Sequence, residues 1–126
     1  MSFSPAVRER VYKKYDGHCT YCGIMLTPKE MQIDHFIPKD MESVVVAGNF
    51  DGLDSIDDFK NLMPSCRMCN HYKRAHPISV FRRYIEEIPR KCRDDYIYKI
   101  GVRYGLIEEH EHPVKFYFET VEAKNE

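Results

Sequence analysis

Residues 61–73 read NLMPSCRMCNHYK: a short apolar run, a Cys-x-x-Cys pair and the polar opening of a helix, with nothing between them. NLMPS predicts a short extended piece, and CRMCNHYKRA (66–75) predicts a turn entering a helix that ends before Pro77. A Cys-x-x-Cys turn presents two thiolates to one ion with little strain. Its twin, CTYCG, stands upstream, with 43 residues between Cys22 and Cys66. Cys19, Cys22, Cys66 and Cys69 are therefore expected to form a closed tetrahedral zinc site of four thiolates, and closed sites are structural. Such a site staples the end of the first helix to the start of the helix after Cys69. Buried free thiols or a thioredoxin-type redox pair are the competing readings, and two matching pairs argue against both. Cys92 is unpaired in a helical stretch and is given no role.

The chain around this frame has 126 residues, 43% of them hydrophobic, which suits one globular domain with a core. No stretch approaches the length of a membrane span. The opening MSFSPAVRERVYKK has basic residues but lacks the apolar segment of a secretory signal. A cytoplasmic setting is expected, where cysteines serve as metal ligands rather than disulfides. The formal net charge of −1 conceals a strong asymmetry. Residues 60 to 93 carry nine bases against Glu86 and Glu87, whereas residues 30 to 59 carry Lys39 alone against eight acids. A basic segment beside an acidic one fits a phosphate-binding surface next to a metal-holding one, with solvated helix faces as the plain alternative.

Ser4 and Pro5 read as the N-cap and first residue of a helix, with Val7, Val11 and Tyr15 at helical spacing and Gly17 as its stop. MQIDHFIP (31–38) reads as a strand that ends by Pro38. Residues 39 to 60, with breakers at Gly48, Asn49 and Gly52, read as a long loop around the apolar run Val44 to Ala47. Ser79 is expected to cap a helix facing the core with Phe81, Tyr84, Ile85 and Ile88. A further helix after Pro89 carries Tyr96, Ile97, Ile100 and Tyr104, also read as core, and stops at Gly105. PVKFYFE (113–119) alternates like a strand, and EAKNE (122–126) is expected to fray.

Within QIDHFIP, Asp34 and His35 interrupt an apolar run, and neither is buried without a partner at low cost. Four cysteines already complete the zinc site, so this pair needs another use. YCG (21–23), IDHFIPKD (33–40) and NLMPSCRMCNHYK, in that order, resemble the HNH endonuclease family of the ββα-metal type. The similarity runs from about Arg8 to Arg74, over half the chain. It implies a small zinc-stapled ββα-metal, treble-clef-like core, and with the flanking helices and C-terminal strand read from the spacing above, the expected fold class is α+β. The whole of 1–126 is read as a single domain, with the nuclease core at 8–76 and a helical extension at 77–126 that ends in the strand.

The resemblance makes His35 the family's first histidine, Asn61 its central asparagine and Asn70 its third position, an H-N-N variant. The stretch from Phe36 to Lys60 departs from the family in lacking its usual Gly-Gly. The implied function is metal-dependent hydrolysis of DNA phosphodiester bonds, leaving 5′ phosphate and 3′ hydroxyl ends. His35 is the expected general base, since a histidine titrating near neutrality can take a proton from water. Asp34 and Asn70 are the expected ligands of one catalytic Mg²⁺ or Mn²⁺, which would polarise the phosphate and stabilise the leaving oxygen. Asn61 is expected to hold the loop around His35. His71 could replace Asn70, but neighbours on a helix point about 100° apart, so only one fits. Arg67, Lys73 and Arg74 are expected to grip backbone phosphates, which gives steep salt dependence and weak sequence preference. A zinc-stabilised nucleic-acid-binding module without catalysis is the alternative, disfavoured by the intact set of Asp34, His35, Asn61 and Asn70.

Overall fold

A computed structural model describes residues 3–48 and 52–123. Its order is α1 (Pro5–Lys13), β1 (Gln32–His35), α2 (Glu42–Val46), β2 (Leu62–Ser65), α3 (Arg67–Lys73), α4 (Ile78–Glu86), α5 (Ile88–Cys92) and α6 (Tyr96–Arg103), with three short 3-10 turns. Among the described residues the elements are helices and one small two-stranded sheet. The described residues form two compact units: one comprises those up to Ile78 and those from Lys115 onward, and the other is Ser79–Val114. Among the described residues no helix is long and apolar enough to cross a membrane. Asn49, expected as a loop breaker, and the last three residues of the tail expected to fray lie outside the described residues.

In the first unit, α1 starts where its sequence says it should: the Ser4 hydroxyl accepts from the Val7 N–H at 3.2 Å and Pro5 opens the helix. Its far end is tied down by burial. Lys14, 4% exposed, donates from Nζ to the carbonyls of Phe59 at 2.6 Å and Leu62 at 2.5 Å. Arg8 donates to the carbonyl of Met31 at 2.7 Å, and the Tyr12 hydroxyl to that of Leu26 at 2.7 Å, so α1 clamps the approach to β1. Gly17 adopts φ +83°, and a Cβ there would lie 2.8 Å from the Tyr12 hydroxyl. Both backbone and space demand glycine.

β1 and β2 pair antiparallel from Gln32↔Ser65 to His35↔Leu62. The pairing continues one step further, with the Phe36 N–H on the Asn61 carbonyl at 2.9 Å. The apolar run in the acidic loop is helical rather than irregular, forming α2 with Val45 buried. The expected C-terminal strand is absent: residues 113–116 make no ladder and Tyr117–Glu119 is a 3-10 turn. Instead the N–H groups of Tyr117 and Phe118 donate to the carbonyls of Tyr21 and Thr20, each at 2.9 Å. The alternation of aromatics served packing rather than pairing. Phe116 is 2% exposed and stands edge-on to Tyr21 at 5.7 Å between centroids.

In the second unit, Asp95 caps α6 by accepting from the Tyr98 N–H at 3.0 Å, and Gly101 is buried beneath the Ile107 side chain. Arg93 binds Glu109 and Glu111, and the Tyr98 hydroxyl donates to Glu109 at 2.8 Å. The α6 face expected in the core is exposed: Tyr96, Ile97 and Tyr104 each keep about three-quarters of their surface in solvent, at 76%, 78% and 74%. Helical spacing identified the face but not which way it would turn.

Candidate metal centre and active site

The sulfur atoms of Cys19, Cys22, Cys66 and Cys69 all lie within 4.8 Å of one another. Zinc–thiolate bonds of about 2.3 Å require sulfur–sulfur edges of about 3.8 Å in a tetrahedron. Cys22 and Cys66 already stand 3.8 Å apart. The donor set and its spacing fit zinc. Backbone amides prepare the sulfurs: Tyr21 and Cys66 N–H groups point at Cys19 Sγ at 3.4 and 3.3 Å, and the Cys69 N–H at Cys66 Sγ at 3.3 Å. The last bond also makes Cys66 the N-cap of α3. A hydrogen bond from the Cys69 thiol, helped by these amides, holds Cys19 down to about 4. Cys69 is pushed up, first by that same hydrogen bond and then by burial, and burial raises Cys22 to about 11.

β1 turns Gln32 and Asp34 to one face, and α3 lays Asn70 and Lys73 across it. Asn70 Nδ2 donates to Gln32 Oε1 at 2.7 Å. Asp34, 6% exposed, accepts at Oδ2 from the Tyr21 hydroxyl at 2.5 Å and from Lys73 Nζ at 3.1 Å. Burial pushes the Asp34 carboxyl above the usual carboxylate range, with the Lys73 ammonium as the main opposing influence. Burial, then the Asp34 charge, raises the Tyr21 phenol well above its ordinary value.

Lys73 was expected on phosphate, but its side chain has no exposed surface and its ammonium serves Asp34 and the His35 carbonyl, the latter at 3.1 Å. A lysine so enclosed holds the site together rather than touching nucleic acid. Arg67 and Arg74, its expected companions, are exposed.

His35 ends β1 with its ring nitrogen Nε2 at 2.7 Å from Asp57 Oδ1. The Phe3 ring lies 6.0 Å from the His35 ring. Asn61, 2% exposed, uses its whole carboxamide: Oδ1 accepts from the Ile37 N–H at 2.7 Å, while Nδ2 donates to the carbonyls of Ile56 at 2.8 Å and Ile37 at 3.1 Å. It thereby fastens the two ends of the acidic loop beside His35. His71, the rival to Asn70, is exposed. Gln32, Tyr21 and Asp57 escaped the sequence reading. Asp57 was one acid among eight in its segment, and only the folded loop distinguishes it.

Residues 19–75 match the family model described as HNH endonuclease. A curated relative, the Septu protein PtuB of Bacillus thuringiensis, is 30% identical over 74 residues, which is 57% of this chain. The chain spans only 25% of that protein's length. A solved structure, the Type II-C Cas9 enzyme from Actinomyces naeslundii, superposes with a TM-score of 0.48 at 21% identity, over 85% of this chain and 13% of that one.

Proposed function

From the match of residues 19–75 to the HNH endonuclease family model, we propose that this chain is a metal-dependent endonuclease hydrolysing DNA phosphodiester bonds. The observation that carries the reading is that four motif residues all lie on or against β1 and its exit. Asp34 and His35 close β1, Asn61 binds the backbone two residues beyond His35, and Asn70 reaches Gln32 of β1 from α3. Both bonds to Asp34 fall on Oδ2, so Oδ1 and the Asn70 carbonyl oxygen are the donors a hard cation such as Mg²⁺ or Mn²⁺ would use. When bound, that cation supplies charge stabilisation to the phosphoryl and leaving oxygens.

The chain's own residues do the rest. His35 accepts the proton of the attacking water at a ring nitrogen. Lys73 and Tyr21 fix the Asp34 carboxylate, and Asn61 fixes the loop, so neither has to reorganise during the reaction. Arg67 and Arg74 hold flanking phosphates without reading sequence. Zinc held by the four cysteines would be structural, since Cys19 and Cys22 lie in the turn after α1 and Cys66 and Cys69 at the start of α3.

The test is cleavage of supercoiled plasmid with Mg²⁺ or Mn²⁺, comparing wild type with His35→Ala, both checked for bound zinc. Metal-dependent nicking lost in the variant is the expected result. Equal nicking by both proteins would refute the assignment of His35, and binding without cutting by either would favour a non-catalytic nucleic-acid-binding module.

A further inference from the structure

The acidic loop departs from the family pattern in sequence, yet it delivers one side chain to the reactive histidine. Asp57 Oδ1 lies 2.7 Å from His35 Nε2, with the two side chains 43% and 16% exposed. A carboxylate only accepts hydrogen bonds, so in neutral His35 the shared proton belongs to Nε2. The lone pair is then on Nδ1.

The position of Asp57 is set by its neighbours. Ile56 on one side is 1% exposed, and its carbonyl accepts from Asn61 Nδ2 at 2.8 Å. Asp58 on the other side caps the 3-10 turn at Phe59–Asn61, accepting from the Lys60 N–H at 2.9 Å and from the Asp54 N–H at 3.2 Å. A buried anchor and a cap bracket Asp57. The His35 main chain is held as well, by its ladder pairing with Leu62 and by Lys73 on its carbonyl. Both partners of the 2.7 Å contact therefore stand on anchored backbone, which distinguishes it from a chance surface ion pair.

We propose that Asp57 is a positioning residue for cleavage, holding the His35 ring by Nε2 so that Nδ1 is the nitrogen that takes the proton from water. The proposal rests on the nuclease reading above. As Nδ1 gains the proton, the water oxygen bonds to phosphorus and the P–O3′ bond breaks. The 3′ oxygen departs with the electron pair and takes a proton from solvent. His35 is then an imidazolium whose Nε2–H still points at the Asp57 carboxylate, which offsets the new charge. The proton returns to solvent from Nδ1, and Asp57 keeps its own charge throughout.

The test combines a spectroscopic and a kinetic readout on zinc-loaded protein. Long-range ¹⁵N–¹H correlation spectra of histidine-labelled wild type, without Mg²⁺ or Mn²⁺, identify His35 by the signals that His35→Ala lacks. The expected result is neutral His35 protonated at Nε2, with slow solvent exchange that becomes fast in Asp57→Ala. On plasmid, Asp57→Ala should lower kcat by roughly 10²-fold, the scale of a misplaced catalytic group, with KM near wild type. Asp57→Glu should restore part of the loss. Asp57→Asn, of the same shape, replaces Asp57→Ala if that variant fails to retain zinc.

A wild-type proton on Nδ1 overturns the proposal. So does an active protein whose Nε2–H exchange and kcat ignore the loss of Asp57. If wild type cuts no nucleic acid with either metal, the nuclease reading fails and the positioning role falls with it.

Discussion

Lys73 Nζ lies 3.1 Å from Asp34 Oδ2, and the two side chains are 0% and 7% exposed. Removing one partner of such a pair strands the other charge in the interior. Lys73→Met is expected to destabilise the zinc-loaded protein by about 3–5 kcal/mol, read by urea denaturation. Lys73→Met combined with Asp34→Asn should recover much of that loss, because the double variant leaves no uncompensated charge. Equal stability of wild type and Lys73→Met would mean that the pair is not formed.

Cys19 is buried at the centre of three S–H or N–H contacts, so losing it removes both a ligand and the sulfur on which those amides converge. Cys19→Ser should purify without stoichiometric zinc, and chelation of wild type should abolish its cooperative thermal transition. Metal analysis and circular dichroism read the two outcomes. An unchanged transition after complete chelation would count against a structural zinc.

Asn61 satisfies three backbone groups of the loop from its buried position. Asn61→Ala leaves them without partners and should cost about 2 kcal/mol or more of stability. Cleavage should fall together with stability, since the loop carries Asp57 as well as the backbone beside His35. Asn61→Asp, which keeps the acceptor but not the donor, should fall between the two in denaturant midpoint.

Arg67 and Arg74 are exposed while Lys73 is enclosed, so three basic residues within eight positions should behave differently. Arg67→Gln and Arg74→Gln should each weaken DNA binding uniformly across sequences and reduce the slope of log K against log salt by about 1. Neither should alter the denaturant midpoint appreciably. Salt titrations of binding anisotropy measure the slopes, and unchanged slopes would place the phosphate contacts elsewhere.

Burial, reinforced by the Arg10 charge, lowers Lys14 from its ordinary 10.5 to about 8. Between those values the unfolded chain binds this proton more tightly than the fold does. The Lys14 contribution to stability therefore rises with pH from about 8 to 10.5 and is flat at its lowest below about 8. Wild type minus Lys14→Met should show that rise in denaturation midpoints across the window. A flat difference would mean that the lysine keeps its proton in the fold.

Much of the architecture was legible in local patterns. Ser4-Pro5 starts a helix because a capping hydroxyl and a fixed φ act within one turn of chain. Paired Cys-x-x-Cys turns announce a tetrathiolate centre because ligand spacing is itself the chemical requirement. The order of Asp-His, Asn-Leu and Cys-Asn carried the resemblance, and the hairpin and α3 stand where that order implies. Alternation at Val114, Phe116 and Phe118 misled, because aromatic packing against Tyr21 produces the same period as a strand ladder. The face of α6 misled for the converse reason, since apolar spacing marks a face without saying what covers it.

By itself, then, the sequence determined most of the elements and the four cysteines able to hold a metal ion, all of them properties of neighbours along the chain. The tertiary structure alone decided that Lys73 serves Asp34 rather than phosphate and that Asp57, of eight acids, meets His35. These contacts join residues 39 and 22 positions apart, and they exist only because the β1–β2 pairing, α3 and the Asn61-fastened loop fix the distances between them.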